Sequence, residues 1–174
     1  MELLWDLPAL QSTECLGASL ARSCPLDLPG PRLLFLSGEL GSGKTTLTSA
    51  LLATLGVTES VRSPTYALIE LYSIQHGAEG SAARHSALAV HVDLYRLRSA
   101  DELVQLGLRD YLNDETLLIV EWAERAGAEL PRPDVWLQLE VAGEGRRCHA
   151  RAHSVAGQSW LTAMAAQSGA AVAR

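Results

Sequence analysis

The sequence is almost devoid of lysine. Of its 14 basic residues, Lys44 is the single lysine and the others are arginines, and 20 acidic residues bring the formal net charge to −6. A chain with this balance carries no large basic field, so we do not expect it to bind nucleic acid on its own through phosphate neutralisation. Arginine replaces lysine readily on a solvated surface, which accounts for the arginines but not for the one lysine that remains.

Cysteine and long apolar runs are also scarce. The three cysteines, Cys15, Cys24 and Cys148, form no close pair, and this spacing supports neither a disulfide framework nor a zinc site. No apolar run approaches the roughly 20 residues that a membrane span needs, and the first ten residues hold acids where a signal peptide has basic residues. We therefore expect a cytoplasmic protein with reduced thiols and no membrane contact.

The composition is that of one globular domain. The 174 residues are 48% hydrophobic and 20% charged, which is ordinary for a soluble protein with a single core. No internal repeat or long linker divides them. We place the domain at residues 1–155 and set residues 156–174 apart as an Ala-rich tail, either helical or frayed.

Helical and strand-like patterns alternate along this domain. Apolar periodicity and turn residues predict helices at 13–23, 45–55 and 101–112, strands at 32–37, 66–74, 87–97 and 117–120, a loop at 76–86 and a β-hairpin at 135–141 and 146–153. The strands at 32–37 and 117–120 are continuously apolar, as expected of strands buried on both faces. The fold class is therefore α/β, with helices covering a mainly parallel sheet.

The strongest motif is Gly38-Glu-Leu-Gly-Ser-Gly-Lys-Thr45, which matches the P-loop pattern G-x-x-x-x-G-K-[ST]. A buried strand precedes it and an amphipathic helix follows, which is the context that the motif requires. In such a loop the backbone N–H groups surround a phosphate, Lys44 reaches the β- and γ-phosphates, and the Thr45 hydroxyl binds Mg²⁺. Because the chain has no second lysine, it lacks an Asn-Lys-x-Asp guanine motif, and ATP is favoured over GTP.

Two acids follow apolar strands. Glu121 comes directly after residues 117–120 and Asp93 directly after residues 89–92, so both are expected at the carboxyl edge of the sheet, where ligands bind. Either could hold Mg²⁺ or orient the attacking water. Alternatively, Glu121 is a surface residue, and Asp93 forms a structural ion pair with Arg96 or Arg98.

One further segment and two single residues lie close to these motifs in the sequence. Ser63 and Thr65, in the segment Ser63-Pro-Thr65, either sense the γ-phosphate or bind Mg²⁺ as a switch segment does, or they form a strand-entry turn. His91 and Trp122 are more typical of packing than of chemistry.

The ordered set of motifs resembles the bacterial TsaE family. It comprises Gly38–Thr46, Ser63–Tyr66, the run His91-Val-Asp-Leu-Tyr-Arg96 and Ile119–Trp122, and it covers about residues 10–150. The resemblance implies a small P-loop ATPase with a mixed, mainly parallel sheet. The resemblance further implies a role in the threonylcarbamoyl modification of adenosine 37 in tRNAs that read codons beginning with A. There the protein would bind the TsaB–TsaD complex, support its turnover by hydrolysing ATP, and meet tRNA only indirectly.

The resemblance also assigns residues. Thr45 and Glu121 would bind Mg²⁺, Asp93 and Glu121 would be catalytic, and Thr13 would lie near the adenine. The residues expected to bind the nucleotide are Thr13, Gly38, Gly41, Ser42, Gly43, Lys44, Thr45, Thr46, Ser63 and Thr65. The loop at 76–86 is longer than the family pattern, and nothing beyond about residue 155 matches it.

Two other function classes share the P-loop. A small-molecule or nucleoside kinase also needs an acceptor pocket and an arginine-bearing lid, and no separate lid segment is visible in the sequence. A nucleotide-dependent binding module would bind ATP with negligible hydrolysis.

Overall fold

A single mixed sheet of eight strands forms the centre of the molecule. The computed structural model describes residues 1–76, 85–168 and 171–172. The strands are β1 Glu2–Leu7, β2 Arg32–Ser37, β3 Ile69–His76, β4 His85–Asp93, β5 Thr116–Glu121, β6 Val135–Ala142, β7 Gly145–Ala152 and β8 Ala171–Val172. The helices are α1 Leu10–Ser23, α2 Lys44–Thr54, α3 Ala100–Gln105 and α4 Val155–Ser168, with 3₁₀ turns at Leu108–Tyr111 and Ala123–Ala126.

The strand order is β3-β4-β5-β2-β6-β7-β1-β8. The pairs β4–β5, β5–β2 and β2–β6 are parallel, and the other pairs are antiparallel. Four parallel strands therefore occupy the middle of the sheet, and their carboxyl ends meet at one edge. The mixed α/β sheet and the hairpin β6–β7 expected from the sequence are confirmed.

The alternation of side chains along β2 explains why residues 33–36 of this strand are all apolar. Leu34 and Leu36 pack into a cluster with α1, α2 and α4. Leu33 and Phe35 point to the other face, into a cluster with α3 and the two 3₁₀ turns. A strand between two helical layers has no solvent face, so both sets of alternate positions must be apolar.

The structure corrects three predicted elements. The strand expected at 66–74 begins only at Ile69, because the chain first turns, with the Leu68 N–H donating to Pro64 O at 2.7 Å. The strand expected at 87–97 ends at Asp93, whose carboxylate accepts the Tyr95 N–H at 2.8 Å. The helix expected at 101–112 is broken by Gly107, which has a positive φ of 62°.

The start of the chain holds more regular structure than the sequence indicated. Residues 2–7, seen in the sequence only as a short apolar start, form β1, and the first helix begins at Leu10 rather than at residue 13.

Most of the loop expected at 76–86 (residues 77–84) lies outside the described residues, while His76 and residues 85–86 belong to β3 and β4. In the described part of the chain, no helix is long and apolar enough to cross a membrane.

The segment set apart as a tail contributes to the core. Trp160, Leu161 and Met164 of α4 are fully buried, and the Trp160 indole N–H donates to Leu20 O of α1 at 2.9 Å. Residues 155–168 are therefore a packed helix rather than a frayed end.

A buried aspartate fixes α4 to the sheet. Asp134 is 7% exposed and accepts the Leu33 N–H at 2.9 Å through one oxygen and the Ser154 hydroxyl through the other. The Ser154 hydroxyl in turn accepts the Gly157 N–H at 2.9 Å in the first turn of α4. One carboxylate thus joins β2, the start of β6 and the start of α4.

Removing this carboxylate should destabilise the fold. We expect Asp134→Ala to lower the free energy of unfolding by about 1–3 kcal/mol, because it leaves the buried Leu33 N–H without its acceptor. Urea denaturation followed by circular dichroism measures this change. Asp6→Ala is the matched control, because the Asp6 side chain is 73% exposed in a surface pair with Arg147, and such pairs contribute about 0–1 kcal/mol. Equal effects of the two substitutions would contradict the role of Asp134.

Candidate functional site

The glycine-rich loop follows β2 and leads into α2, as its motif requires. Gly38, Gly41 and Gly43 have φ values of 136°, 78° and 103°, in the region that favours glycine. A Cβ on Gly38 would lie 2.1 Å from Leu139 O, so no larger residue fits there. The glycines let the backbone curl tightly against β6 and present the start of α2.

Lys44 lies inside this loop and is 5% exposed. Its Nζ donates to Gly38 O at 2.7 Å and to Glu39 O at 2.9 Å, and it lies 4.0 Å from the centroid of the Trp122 ring. Burial lowers the pKa of Lys44, while the carboxylates of Glu121 and other nearby acids act in the opposite direction. The ammonium is thus held by two backbone carbonyls, which phosphate oxygens could replace.

The carboxyl ends of β4 and β5 bring the two predicted acids side by side. Asp93 and Glu121 are register partners on these adjacent strands, and they are 2% and 1% exposed. Glu121 Oε2 accepts the Thr45 hydroxyl at 2.9 Å, and Glu121 Oε1 lies 3.0 Å from His91 Nε2. Glu121 is therefore buried and joined to the loop, not a surface residue.

The Ser63–Thr65 segment meets the second acid. The Ser63 hydroxyl donates to Asp93 Oδ2, and the Thr65 hydroxyl lies 3.3 Å from the same oxygen. In the described part of the chain, Asp93 forms no ion pair. Arg96 instead lies over the ring of Tyr66, 4.2 Å from its centroid. The ion pair of Asp93 with Arg96 or Arg98 that the sequence suggested is therefore absent from the described residues. The Ser63–Thr65 segment instead forms hydrogen bonds with the Asp93 carboxylate.

These side chains border one cavity of about 250 Å³, lined in part by Lys44, Thr45, Ser63, Thr65, Asp93 and Glu121. A second cavity of about 210 Å³ contains Thr13 and Arg146. Gly41, Gly43 and Thr46 line both cavities, so the two lie on either side of the loop. Gly38 and Ser42 line neither; they contact Lys44 through a carbonyl and a hydroxyl.

The oxygen atoms at this site suit a hard cation whose remaining ligands come from a bound substrate. Among residues 1–76, 85–168 and 171–172, no cluster of three His, Cys, Asp or Glu side chains could hold a metal alone. Thr45 and Glu121 nevertheless offer a hydroxyl and a carboxylate within 2.9 Å of one another. Mg²⁺ is commonly bound by one or two such oxygens together with substrate phosphates and water. The residues present therefore fit Mg²⁺ with a bound nucleotide.

Three residues at the site were missed or underrated from the sequence. His91 contacts Glu121, and Trp122 contacts Lys44. Arg146, at the start of β7, donates to Gly41 O through Nε at 3.1 Å and Nη2 at 2.9 Å. The positions of His91 and Trp122 within two residues of the predicted acids were available signals, whereas nothing in the sequence places Arg146 beside the loop.

The chain is similar to a family of known proteins. The family model "Threonylcarbamoyl adenosine biosynthesis protein TsaE" matches residues 7–149. The tRNA threonylcarbamoyladenosine biosynthesis protein TsaE of Haemophilus influenzae is 34% identical over 131 residues, covering 75% of this chain and 77% of that protein. The protein of the same name from Aquifex aeolicus is also 34% identical, covering 84% of this chain and 95% of the relative.

A solved structure shares the fold. The crystal structure of Bacillus subtilis YdiB superposes with a TM-score of 0.69 over 96% of each chain, at 21% sequence identity. The family match spans the loop, both acids and the Ser63–Thr65 segment. On the family model and these relatives, the chain belongs to the TsaE family of threonylcarbamoyl adenosine biosynthesis proteins.

Proposed function

We propose that this chain is a Mg²⁺-dependent ATPase that acts in forming threonylcarbamoyladenosine at position 37 of tRNAs reading codons that begin with A. The observation that supports this proposal most strongly is the cavity lined by Lys44, Thr45, Asp93 and Glu121. A phosphate-binding loop, a hydroxyl–carboxylate pair and a second carboxylate are the parts that phosphoryl transfer to water requires. Membership of the TsaE family supports the pathway.

Each part of the site has a chemical task in this proposal. Lys44 would exchange its two carbonyl acceptors for β- and γ-phosphate oxygens, whose charge attracts an ammonium more strongly. The N–H groups at the start of α2 face the same anion, and the helix dipole favours it. Bound Mg²⁺, held by Thr45 with Glu121, would supply charge neutralisation on the β- and γ-phosphates.

Asp93 would act on the water that attacks the γ-phosphate. Its carboxylate is already oriented by Ser63, Thr65 and the Tyr95 N–H. These donors fix the orientation of the carboxylate, which can then accept a hydrogen bond from a water and orient it. Ser63 and Thr65 would register the presence of the γ-phosphate, since the same hydroxyls border the cavity.

The base would occupy the cavity on the other side of the loop. Leu7, Leu10 and Thr13 give it apolar walls and one hydroxyl, and Arg146 adds a planar guanidinium. A purine ring matches this combination, because apolar and guanidinium faces stack on it. The two cavities share the loop, so one nucleotide would reach from Thr13 to Asp93.

The TsaB–TsaD complex is the proposed partner, and the chain would meet tRNA through it. The net charge of −6 agrees with indirect contact, since a protein of this charge gains little from releasing counterions of the tRNA backbone. ATP hydrolysis would support repeated turnover of the complex.

Lys44→Ala should remove ATP binding. Loss of a charge-assisted hydrogen bond worth about 1.5–3 kcal/mol weakens affinity about 10- to 150-fold, and Lys44 is proposed to make more than one. Isothermal titration with Mg²⁺–ATP measures the affinity. Arg147→Ala also removes one positive charge, at an exposed surface pair, and should bind like the parent. Retained affinity in Lys44→Ala would remove the phosphate role of the loop.

Asp93→Asn should bind ATP but hydrolyse it about 100-fold more slowly or worse, the range lost with a general base. The amide keeps the shape of the side chain and can still accept hydrogen bonds from Ser63 and Thr65. Single-turnover hydrolysis and nucleotide titration separate rate from affinity. A variant that loses activity only because its melting temperature collapses would restore a structural role for Asp93.

Hydrolysis should be slow for the purified chain and faster when TsaB–TsaD is added. Phosphate release at saturating ATP, with and without the complex, measures the stimulation. A rate that stays equally slow with the complex present would count against the partner proposal. Transfer of the γ-phosphate to a small molecule rather than to water would favour the kinase alternative.

A further inference from the structure

His91 is a buried polar residue to which the proposed chemistry assigns no role. It is fully buried in β4, two residues before Asp93. Successive side chains of a strand point to opposite faces, so His91 and Asp93 share a face, while Val90 and Val92 pack into the cluster on the other side. Full burial favours an apolar residue, so a histidine at this position needs a polar partner.

The contact of His91 is with the carboxylate that meets the loop. His91 Nε2 lies 3.0 Å from Glu121 Oε1, and the Thr45 hydroxyl donates to Glu121 Oε2 at 2.9 Å. Each oxygen of Glu121 thus has one donor, and the donors come from different elements, β4 and α2. Two donors at opposite ends of a carboxylate fix its rotation as well as its place.

The other ring nitrogen identifies the tautomer. His91 Nδ1 is buried and has no hydrogen-bond partner in the part of the chain that the structure describes. A proton on Nδ1 alone would lack an acceptor and would leave two acceptors, Nε2 and Glu121 Oε1, facing each other. The geometry therefore calls for a proton on Nε2, which donates a hydrogen bond to Glu121 Oε1.

We propose that His91 is a positioning residue for ATP hydrolysis: its Nε2–H bond holds the Glu121 carboxylate against Thr45, where the pair receives Mg²⁺–ATP. This inference rests on the proposed function. Without His91, Glu121 Oε1 would be a buried acceptor with no donor, and the carboxylate would turn away to find one. Groups that orient a ligating carboxylate typically change activity or metal affinity about 10- to 100-fold when removed.

Two variants of His91 distinguish the effect of its hydrogen bond from the effect of its imidazole ring. His91→Leu removes the hydrogen bond at similar volume, whereas His91→Gln keeps an N–H donor on a side chain of similar reach. We expect the turnover number of His91→Leu to fall about 10- to 100-fold with the affinity for ATP without Mg²⁺ unchanged. His91→Gln should recover most of the lost turnover.

Thr48→Val is the matched control for disturbance of the core. Thr48 is fully buried in α2, and its hydroxyl has no partner in the described part of the chain. The variant should turn over ATP like the parent. A folded His91→Leu with parental turnover would overturn the proposal, as would a His91→Gln as slow as His91→Leu while Thr48→Val stays normal.

Nuclear magnetic resonance tests the hydrogen bond without relying on hydrolysis. In protein with ¹⁵N-labelled histidine, one of the five histidines should show a slowly exchanging Nε2–H and a bare Nδ1, and this signal should vanish in His91→Gln. A His91 ring with a proton on Nδ1 and none on Nε2 would overturn the proposal even where His91→Leu does not fold. A parent that binds ATP without hydrolysing it would overturn the proposed function, and the role of His91 in turnover with it, while the Nε2–H signal remained.

Discussion

The buried carboxylate of Glu121 is the contact that joins the sheet to the glycine-rich loop. It ends β5 at the parallel centre of the sheet, and it accepts the Thr45 hydroxyl from the first turn of α2. A carboxylate that is 1% exposed is stable only when its oxygens are paired, so the loop, β5 and β4 are held in a fixed relation. The positions of Lys44 and Asp93 relative to Thr45 follow from that relation.

Inside the glycine-rich loop, the backbone supplies the acceptors for the Lys44 ammonium. Lys44 is held by the carbonyls of Gly38 and Glu39, and Trp122 covers it from the other side. Trp122 adopts a positive φ of 58°, which a bulky residue rarely does, and strain of this kind clusters at functional sites. The backbone turn that follows Glu121 is thus what places an aromatic ring over the lysine.

The sequence predicted the parallel centre of the fold well because its strands are apolar on both faces and its loop motif needs a strand before and a helix after. It failed where a single local contact redirects the chain. Asp93 ends β4 by accepting the Tyr95 N–H, which apolar periodicity does not indicate. Gly107 breaks the helix at a positive φ, and there the apolar pattern outweighed the glycine in the prediction. The terminal segments were underrated for a different reason, since β1 and α4 gain their stability from tertiary packing rather than from local propensity.

The sequence by itself determined the glycine-rich loop, the lysine and threonine within it, and the two acids at the ends of apolar strands, because each depends on local spacing. The one lysine among 14 basic residues is the residue that this loop buries, with its ammonium held by two backbone carbonyls. Only the tertiary structure decided that His91 meets Glu121, that Ser63 and Thr65 meet Asp93, and that Arg146 bonds to Gly41 O. Those contacts join residues 28 to 105 positions apart, and no local pattern can specify which distant side chains the folded sheet brings within hydrogen-bonding distance.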